Sequence, residues 1–154
     1  NGCSDYMIEI GGEVVVSGKN PQGEKRHILV DAPVMSDSTV LHERMAVIEV
    51  TDCGIATSGN YRNYRTVSSG KKVGHTINPI TGHPVESAML SATVLAPDAM
   101  TADALATACM AMPPLQAKAM IERLHGTEAL IVVADTTAAS GWQIMTTPGF
   151  PAIK

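Results

Sequence analysis

A change of residue pattern at Pro97-Asp98 constrains the fold of this sequence more than any other feature. Strand-like segments precede it, and an Ala- and Met-rich stretch follows as far as Met112, which predicts a helix with clear boundaries. A second helix is predicted over residues 115–124, and apolar runs at 129–134 and 142–146 predict buried strands. Strands, a helical pair and further strands, in that order, indicate an α+β fold rather than a repeating βαβ unit.

The residues before position 60 predict about four strands separated by turns. The predicted strands are residues 6–10, 14–16, 27–30 and 41–50. A turn with Pro21 and Gly23 predicts that the second and third strands form a hairpin. A further turn is predicted at residues 52–54. Residues 57–84 are rich in Gly, Ser, Thr, Asn and Pro, which predicts a long loop-rich region of the kind that often carries function.

Length and charge limit the classes of function that this chain can have. Its 154 residues, 45% of them hydrophobic, are enough for one domain with its own core, and we treat residues 1–154 as a single domain. Lys and Arg number 11 against 15 Asp and Glu, which excludes a broad basic surface for nucleic acid. Aromatic residues make up 3%, too few for a base-stacking platform. Nucleic acid is therefore not an expected partner.

The cysteines and the apolar runs are the sequence features that could indicate the cellular compartment. Cys3, Cys53 and Cys109 are too far apart for a CxxC motif and allow at most one disulfide, so the redox compartment stays open. No apolar run approaches the roughly 20 residues of a membrane-spanning helix. A first residue other than Met is expected of a processed chain or of a segment of a longer one.

Asp103 and Thr107 form the pair of residues most suited to metal chemistry. They are spaced i, i+4 in the first predicted helix, so a carboxylate and a hydroxyl lie on one helix face. Mg²⁺ prefers hard oxygen ligands of this kind. Spacing alone leaves a structural alternative open, because an Asp near a helix start interacts favourably with the helix dipole and a helical Thr often bonds back to a carbonyl.

Three other segments could contribute to a site. Gly11-Gly12 could let a ligand approach the backbone, although a bulge or bend explains the pair equally well. Residues 57–60 could offer hydroxyl or amide groups to an anion, and a simple turn would have the same composition. His75 lies in the loop-rich region, where it could act as a general base or could be an ordinary exposed histidine.

Four segments, taken in order, resemble the ApbE family of FAD:protein FMN transferases, formerly called thiamine biosynthesis lipoproteins. They are residues 55–61 (IATSGNY), 75–85 (HTINPITGHPV), 91–96 (SATVLA) and 102–107 (ADALAT). Upstream, residues 9–12 (EIGG) and 18–23 (GKNPQG) are similar to a strand and turn of that family. The resemblance runs across nearly the whole chain and implies a T-fold-like α+β fold, with a helical pair packed on one face of an antiparallel sheet.

The resemblance implies a Mg²⁺-dependent enzyme that splits the pyrophosphate of FAD, attaches FMN to a Thr or Ser hydroxyl of a target protein and releases AMP. By the same resemblance, Asp103 and Thr107 are the metal ligands. A third acidic ligand of some relatives falls at Ala106, where this chain has no carboxylate. His75 corresponds to the family's HxIxP histidine and is the expected base, or else an FAD contact.

The remaining FAD contacts are also assigned by resemblance. Thr76 and Ile77 would touch the flavin nucleotide beside His75, while Gly11, Gly12 and the three residues Thr57, Ser58 and Gly59 would shape the cleft. Full members of the family are about twice as long as this chain, which resembles their C-terminal half. We therefore expect an N-terminal half or a second chain to complete the site.

Two other functions stay open. The same Mg²⁺ site could pass FMN to water, which would make the chain an FAD pyrophosphatase, or the chain could be a non-catalytic flavin-binding or interaction fragment. The difference between transferase and hydrolase lies in how well water is excluded. Many relatives are lipoproteins facing the periplasm, which implies a periplasmic or membrane-anchored location and leaves a cytoplasmic one open.

Overall fold

Within residues 2–33, 44–60, 64–66 and 72–154, which the computed structural model describes, a six-stranded sheet forms the centre of the fold. The elements in chain order are β1 (Tyr6–Ile10), β2 (Glu13–Ser17), β3 (Arg26–Asp31), β4 (Arg44–Val50), β5 (Cys53–Gly59), β6 (Tyr64–Thr66), β7 (Lys72–Gly74), β8 (Met89–Ala96), α1 (Ala99–Met110), α2 (Pro114–Ile121), β9 (Glu128–Ala134) and β10 (Trp142–Thr146). The strand order is β1-β2-β5-β8-β9-β10, with every neighbouring pair antiparallel. Strands β3 and β4 pair separately, as do β6 and β7.

The two helices pack on one face of the large sheet. Helix α1 begins after Asp98, whose carboxylate accepts the backbone N–H of Thr101 at 2.8 Å and so caps the helix. Helix α2 begins with Pro114, a residue that suits the first turn because its missing N–H would have no helical partner there. The helices and the sheet enclose a helix-side core rich in alanine. Its fully buried alanines include Ala92, Ala102, Ala106, Ala117 and Ala129.

The β3-β4 hairpin covers the other face of the sheet. It encloses a hairpin-side core of larger branched side chains, namely Val14, Val16, Ile28, Val30, Ile48, Val50, Ile55 and Leu95 with Ala46. The alternation of buried and exposed residues along β4 aims its inward side chains at this core. The predicted α+β architecture, with an antiparallel sheet and a helical pair on one face, is thereby confirmed.

Gly54 sets how closely α1 approaches the sheet. A Cβ atom at this position would lie 2.1 Å from the carbonyl carbon of Asp98 and 2.2 Å from the backbone nitrogen of Ala99. Only glycine permits that contact, so the first residue of α1 lies directly against the start of β5.

Residues 147–154 return from β10 to the hairpin and join the two layers. The backbone N–H of Gly149 donates to the Glu128 carboxylate at 3.1 Å, and Phe150 packs against the hairpin-side core. Lys154 exchanges two backbone hydrogen bonds with Val47, at 3.0 and 3.1 Å. This segment therefore ties β4 to the edge of the large sheet that carries β9 and β10.

Two sequence predictions about the strands were wrong. The second and third strands do not form a hairpin, because β2 pairs with β1 and β5 while β3 pairs with β4 in another sheet. The loop predicted from residue 57 is wrong for residues 57–59, which belong to β5, an interior strand of the large sheet. The turn predicted at residues 52–54 is present between β4 and β5 with Asp52 at a φ of 52°, but β5 already begins at Cys53. The first part of the strand predicted at 41–50 lies outside the described residues, and β4 begins at Arg44.

All three cysteines are free thiols. Cys3 is exposed, whereas burial raises the pKa of Cys53 and of Cys109 to about 11. In the described part of the chain, neither helix has the length and apolar character needed to cross a membrane.

Candidate functional site

The end of β5 meets the exposed face of α1 through a pair of hydroxyls. Ser58 Oγ lies 3.2 Å from Thr107 Oγ1, within hydrogen-bond distance. Strand alternation makes this possible, since Ala56 faces the helix-side core and Ser58, two residues later, lies on the same face of the strand. The contact fixes the position of the Thr107 hydroxyl relative to the sheet.

Asp103 lies one helical turn before Thr107 and is exposed, as Thr107 is. Helix geometry places their Cβ atoms about 5–6 Å apart on one face. Ala102 and Ala106, one residue before each, are fully buried against the sheet. The helix thus turns its alanines inward and presents a carboxylate and a hydroxyl to solvent.

The donor set of this pair suits a magnesium ion better than a transition metal. A carboxylate oxygen and a hydroxyl oxygen are hard ligands, and Mg²⁺ usually binds through one or two protein groups while keeping waters and substrate phosphates. Across the residues that the structure describes, no cluster of three His, Cys, Asp or Glu side chains could hold a metal. Any ion at Asp103 and Thr107 would therefore have few protein ligands.

His75 lies at the base of a loop that folds back on itself. The loop closes through hydrogen bonds from the backbone N–H of Val85 to the Thr76 carbonyl at 2.9 Å and from that of Asn78 to the His83 carbonyl at 2.8 Å. Residues 78–82 form a tight turn, with the Gly82 N–H donating to the Asn78 carbonyl at 2.8 Å. His75 is exposed, and Ile77 is 51% exposed.

Asn60 connects this loop to β5. The Thr76 hydroxyl donates to Asn60 Oδ1 at 3.3 Å, and the Asn60 N–H donates to the Leu90 carbonyl at 3.0 Å. Asn60 is two residues beyond Ser58, so the loop of His75 and the face of α1 meet at the same end of one strand. Asn60 belongs to the segment at 55–61 that carries the family resemblance, but its contact with Thr76 joins residues 16 positions apart and has no local sequence signal.

Gly11, Gly12 and Thr57 lie elsewhere, on the hairpin side of the sheet. Gly11 and Gly12, with φ of 70° and 110°, form the two-residue turn between β1 and β2, which is the bend that the sequence allowed. Together with Thr57 they line a cavity of about 450 Å³ beneath the hairpin. The Thr57 hydroxyl lies 2.9 Å from that of Thr93. The predicted cleft residues therefore divide between the two faces, with Ser58 on the helix side and Thr57 on the hairpin side.

A larger groove of about 700 Å³ lies beside the His75 loop. It is bounded by residues 78–88 on one side and by the junction of α1 and α2, residues 111–114, on the other. Ala111 follows Thr107 at a four-residue spacing, so the groove begins about one turn beyond Thr107, where α1 ends.

Comparison with known proteins decides the family. The ApbE family model matches residues 1–131. The chain belongs to the ApbE family. It is 34% identical over 149 residues to the FAD:protein FMN transferase of Escherichia coli K12, a match that covers 97% of this chain and 40% of that protein. The corresponding protein of Vibrio cholerae O1 is 38% identical over 134 residues, which are 87% of this chain and 39% of the relative.

Solved structures of ApbE proteins have the same fold. The flavinyl transferase ApbE of Pseudomonas stutzeri in its apo form superposes with a TM-score of 0.75 at 32% identity, covering 96% of this chain and 42% of that one. The flavin transferase ApbE of Vibrio cholerae gives a TM-score of 0.74 at 32% identity, over 96% of this chain and 43% of that one. The chain therefore spans about two fifths of the length of the ApbE proteins that it matches.

Proposed function

We propose that this chain takes part in Mg²⁺-dependent transfer of FMN from FAD to a Thr or Ser hydroxyl of a target protein, with release of AMP. The relatives named FAD:protein FMN transferase support the reaction class. The observation that carries the proposal is the exposed oxygen pair of Asp103 and Thr107, fixed to β5 by the contact of Thr107 with Ser58.

In this proposal Asp103 and Thr107 hold the metal. When bound, Mg²⁺ would offset negative charge on the pyrophosphate oxygens of FAD. The Thr107 hydroxyl would bind through an oxygen lone pair, and its proton would then be directed to Ser58 Oγ, which is within reach at 3.2 Å.

His75 takes the proton of the acceptor hydroxyl. The acceptor oxygen forms a bond to the phosphorus of the FMN portion, and the bond from that phosphorus to the bridging oxygen breaks. AMP leaves with the bonding electron pair. A general base of this kind needs hydrogen-bond reach to the reacting hydroxyl, which an exposed residue on a loop beside α1 can provide. Ile77, Ser58 and Gly59 would line the FAD cleft next to it.

We further propose that an additional polypeptide segment completes the site, either an N-terminal half like that of the longer relatives or a second chain. Two observations support this. The matched relatives extend well beyond the matched region, and Asp103, Thr107 and His75 are all exposed. A periplasmic location belongs to the same proposal, and cell fractionation followed by immunoblotting tests it.

The exposure of the three residues also favours a second candidate, hydrolysis of FAD to FMN and AMP. Water reaches an open site, and transfer to protein requires that the acceptor displace it. The two activities are separated by following free FMN and protein-bound flavin in the same reaction.

The decisive experiment measures flavin fluorescence of an acceptor protein in denaturing gels, with AMP quantified by chromatography, in the presence and absence of Mg²⁺. We expect Asp103→Ala to abolish Mg²⁺-dependent turnover of FAD while the circular dichroism spectrum is unchanged. Glu122→Gln, which removes an exposed carboxylate from the end of α2, is the matched control and should retain activity. Unchanged turnover in Asp103→Ala would remove Asp103 from the site.

His75 is tested by separating binding from transfer. His75→Ala should slow transfer far more than it weakens FAD binding measured by calorimetry. Equal losses in both would make His75 a binding residue. Titration of FAD into the 154-residue chain, with and without Mg²⁺, tests whether this segment binds the nucleotide by itself.

A further inference from the structure

Asn60 occupies a position between the two parts of the proposed site. It directly follows Gly59, the last residue of β5, and its backbone N–H continues the ladder to β8 by donating to the Leu90 carbonyl at 3.0 Å. The backbone of Asn60 is therefore held by the large sheet. Its side chain extends from the same end of the strand at which Ser58 contacts Thr107.

The Asn60 amide contacts both neighbours of His75. On one side, the hydroxyl of Thr76 donates to Asn60 Oδ1 at 3.3 Å. On the other side, a Cβ atom on Gly74 would lie 2.5 Å from Asn60 Cγ, so the glycine backbone packs directly on the amide group. One side chain thus fixes the residue before His75 and the residue after it.

The proposed chemistry requires that His75 be held at a fixed distance from the reacting hydroxyl. A general base must lie within about 2.6–3.2 Å of the proton that it removes, and small misplacements cost large factors in rate. His75 is exposed and belongs to a loop, so packing in the core does not fix its backbone. The contacts with Asn60 connect that backbone to the sheet that also carries Ser58.

We infer that Asn60 is a positioning residue. Through its contacts with Thr76 and Gly74, it holds His75 at a fixed position relative to the oxygen pair on α1. The inference rests on the proposed function of His75. It also assigns the Thr76 hydroxyl a different role from the nucleotide contact expected from family resemblance, because that hydroxyl already donates to Asn60.

The first test is a set of matched variants assayed for FMN transfer. Asn60→Ala and Thr76→Val each remove one side of the hydrogen bond, and we expect kcat to fall roughly 10- to 100-fold while KM for FAD changes by less than about twofold. Thr76→Ser restores the hydroxyl and should recover kcat to within about threefold of the original value. Gln143→Ala, which removes an exposed amide from β10, is the control and should retain full activity. A rise in KM with unchanged kcat would overturn the inference.

A double-mutant cycle with His75→Ala shows whether Asn60 acts through His75. If it does, Asn60→Ala should cause no further loss in a chain that already lacks the imidazole. A further loss by the same factor as in the original chain would show that Asn60 acts independently of His75.

Hydrogen exchange provides a readout that does not depend on activity. In Asn60→Ala, the amides of Asn78 and Val85, which close the loop, should exchange at least about tenfold faster, while those of β8 and β9 keep their protection. Unchanged exchange at both loop amides would overturn the positioning role. If the protein completed by the additional segment transfers no FMN but exchange responds as described, the proposed function fails while the anchoring of the loop by Asn60 stands.

Discussion

The two faces of the central sheet are covered by different kinds of residue, which pack at different distances from the sheet. The helix side is filled largely by alanine, with Ala92, Ala102, Ala106 and Ala129 fully buried. The hairpin side is filled by valine and isoleucine, with Ile48 as a fully buried example. Small residues let a helix backbone approach the sheet closely, whereas branched residues fill the space between two layers of strands. The helix side therefore brings polar groups of α1 and β5 within hydrogen-bond distance.

Because of this difference, the residues proposed to act in catalysis lie on the helix side, whereas the hairpin-side core contributes to stability. The oxygen pair and its contact with Ser58 depend on the close approach of α1 to β5 at Gly54. The hairpin side buries larger apolar side chains, and its cavity of about 450 Å³ is smaller than the groove of about 700 Å³ beside the His75 loop. Changes at the close approach of Gly54 should therefore alter activity and stability together, changes to the exposed oxygen pair or its contact with Ser58 should alter mainly activity, and changes in the hairpin-side core should alter stability alone.

The largest effect is expected for Gly54→Ala. The added methyl group would overlap the backbone of Asp98 and Ala99, so α1 must move away from β5. We expect the free energy of unfolding to fall by about 3 kcal/mol or more, since overpacking against backbone cannot relax by a rotamer change. Urea denaturation followed by circular dichroism measures it, with Ala104→Gly, on the exposed face of α1, as a mild comparison. A loss below about 1 kcal/mol would show that α1 does not need this close contact.

Ile48→Ala should have the next largest effect. Ile48 is 0% exposed in the hairpin-side core, so truncation leaves a cavity and costs about 2–5 kcal/mol of unfolding free energy. Transfer activity per folded molecule should stay unchanged, because β4 contributes no residue to the oxygen pair. Parallel measurements of urea stability and FMN transfer at low temperature check both parts. A loss of activity in a fully folded sample would show that the hairpin-side core also affects transfer.

Adjacent residues of β5 allow a sharper comparison across the sheet. Ser58→Ala removes the partner of the Thr107 hydroxyl, and we expect kcat/KM to fall about tenfold with little change in stability. Thr57→Val removes a hydroxyl on the opposite face, and we expect a smaller loss. Steady-state kinetics at saturating Mg²⁺ compare the two variants. A larger loss for Thr57→Val would place the catalytic cleft on the hairpin side.

The smallest effect concerns pH and the hairpin side. Hydrogen bonds from Lys154 and, less strongly, from His27 hold the pKa of Glu49 below its ordinary value of 4.5. A carboxylate with a lowered pKa stabilises the fold above pH 4.5, and that contribution is lost as the pH falls further and the group becomes protonated. Glu49→Gln should therefore lower Tm slightly at pH 7, and the difference should shrink as the pH falls below 4.5. A difference in Tm that is constant over this range would contradict the ionic origin.

Much of the helical part of the fold could be predicted from local signals. Pro97, Asp98 and the two prolines at 113–114 mark helix ends through backbone chemistry that does not depend on the rest of the protein. The structure begins α1 at Ala99, as predicted, and ends it at Met110, two residues before the predicted end. Helix α2 ends at Ile121, three residues earlier than predicted, and Leu124 is 40% exposed.

Strand β5 could not be predicted because its residues are small and polar. Gly54, Ala56, Ser58 and Gly59 give little strand preference, which obscures the preference of Ile55 and Thr57 for a strand. Its strand conformation is favoured by two neighbouring strands and by α1 packed against it, which are tertiary effects. The pairing of β3 with β4 escaped prediction for a similar reason, since turn chemistry at residues 19–25 does not determine which sheet receives the next strand.

The candidate site was predictable only where its parts are close in sequence. The spacing of Asp103 and Thr107 within one helix places them on one face without further information. The roles assigned to them and to His75 remain predictions that rest on family resemblance. The contributions of Ser58 and Asn60 depend on contacts with distant residues, so only the folded structure reveals them.

The contact between Ser58 and Thr107 also has a consequence for folding. It joins residues 49 positions apart, so the chain must close a long loop before the two hydroxyls meet. Contacts of such long range form slowly compared with the helix that carries Thr107. Recovery of transfer activity during refolding should therefore lag behind recovery of the helical circular dichroism signal, which makes the enzyme assay a reporter of the last steps of assembly.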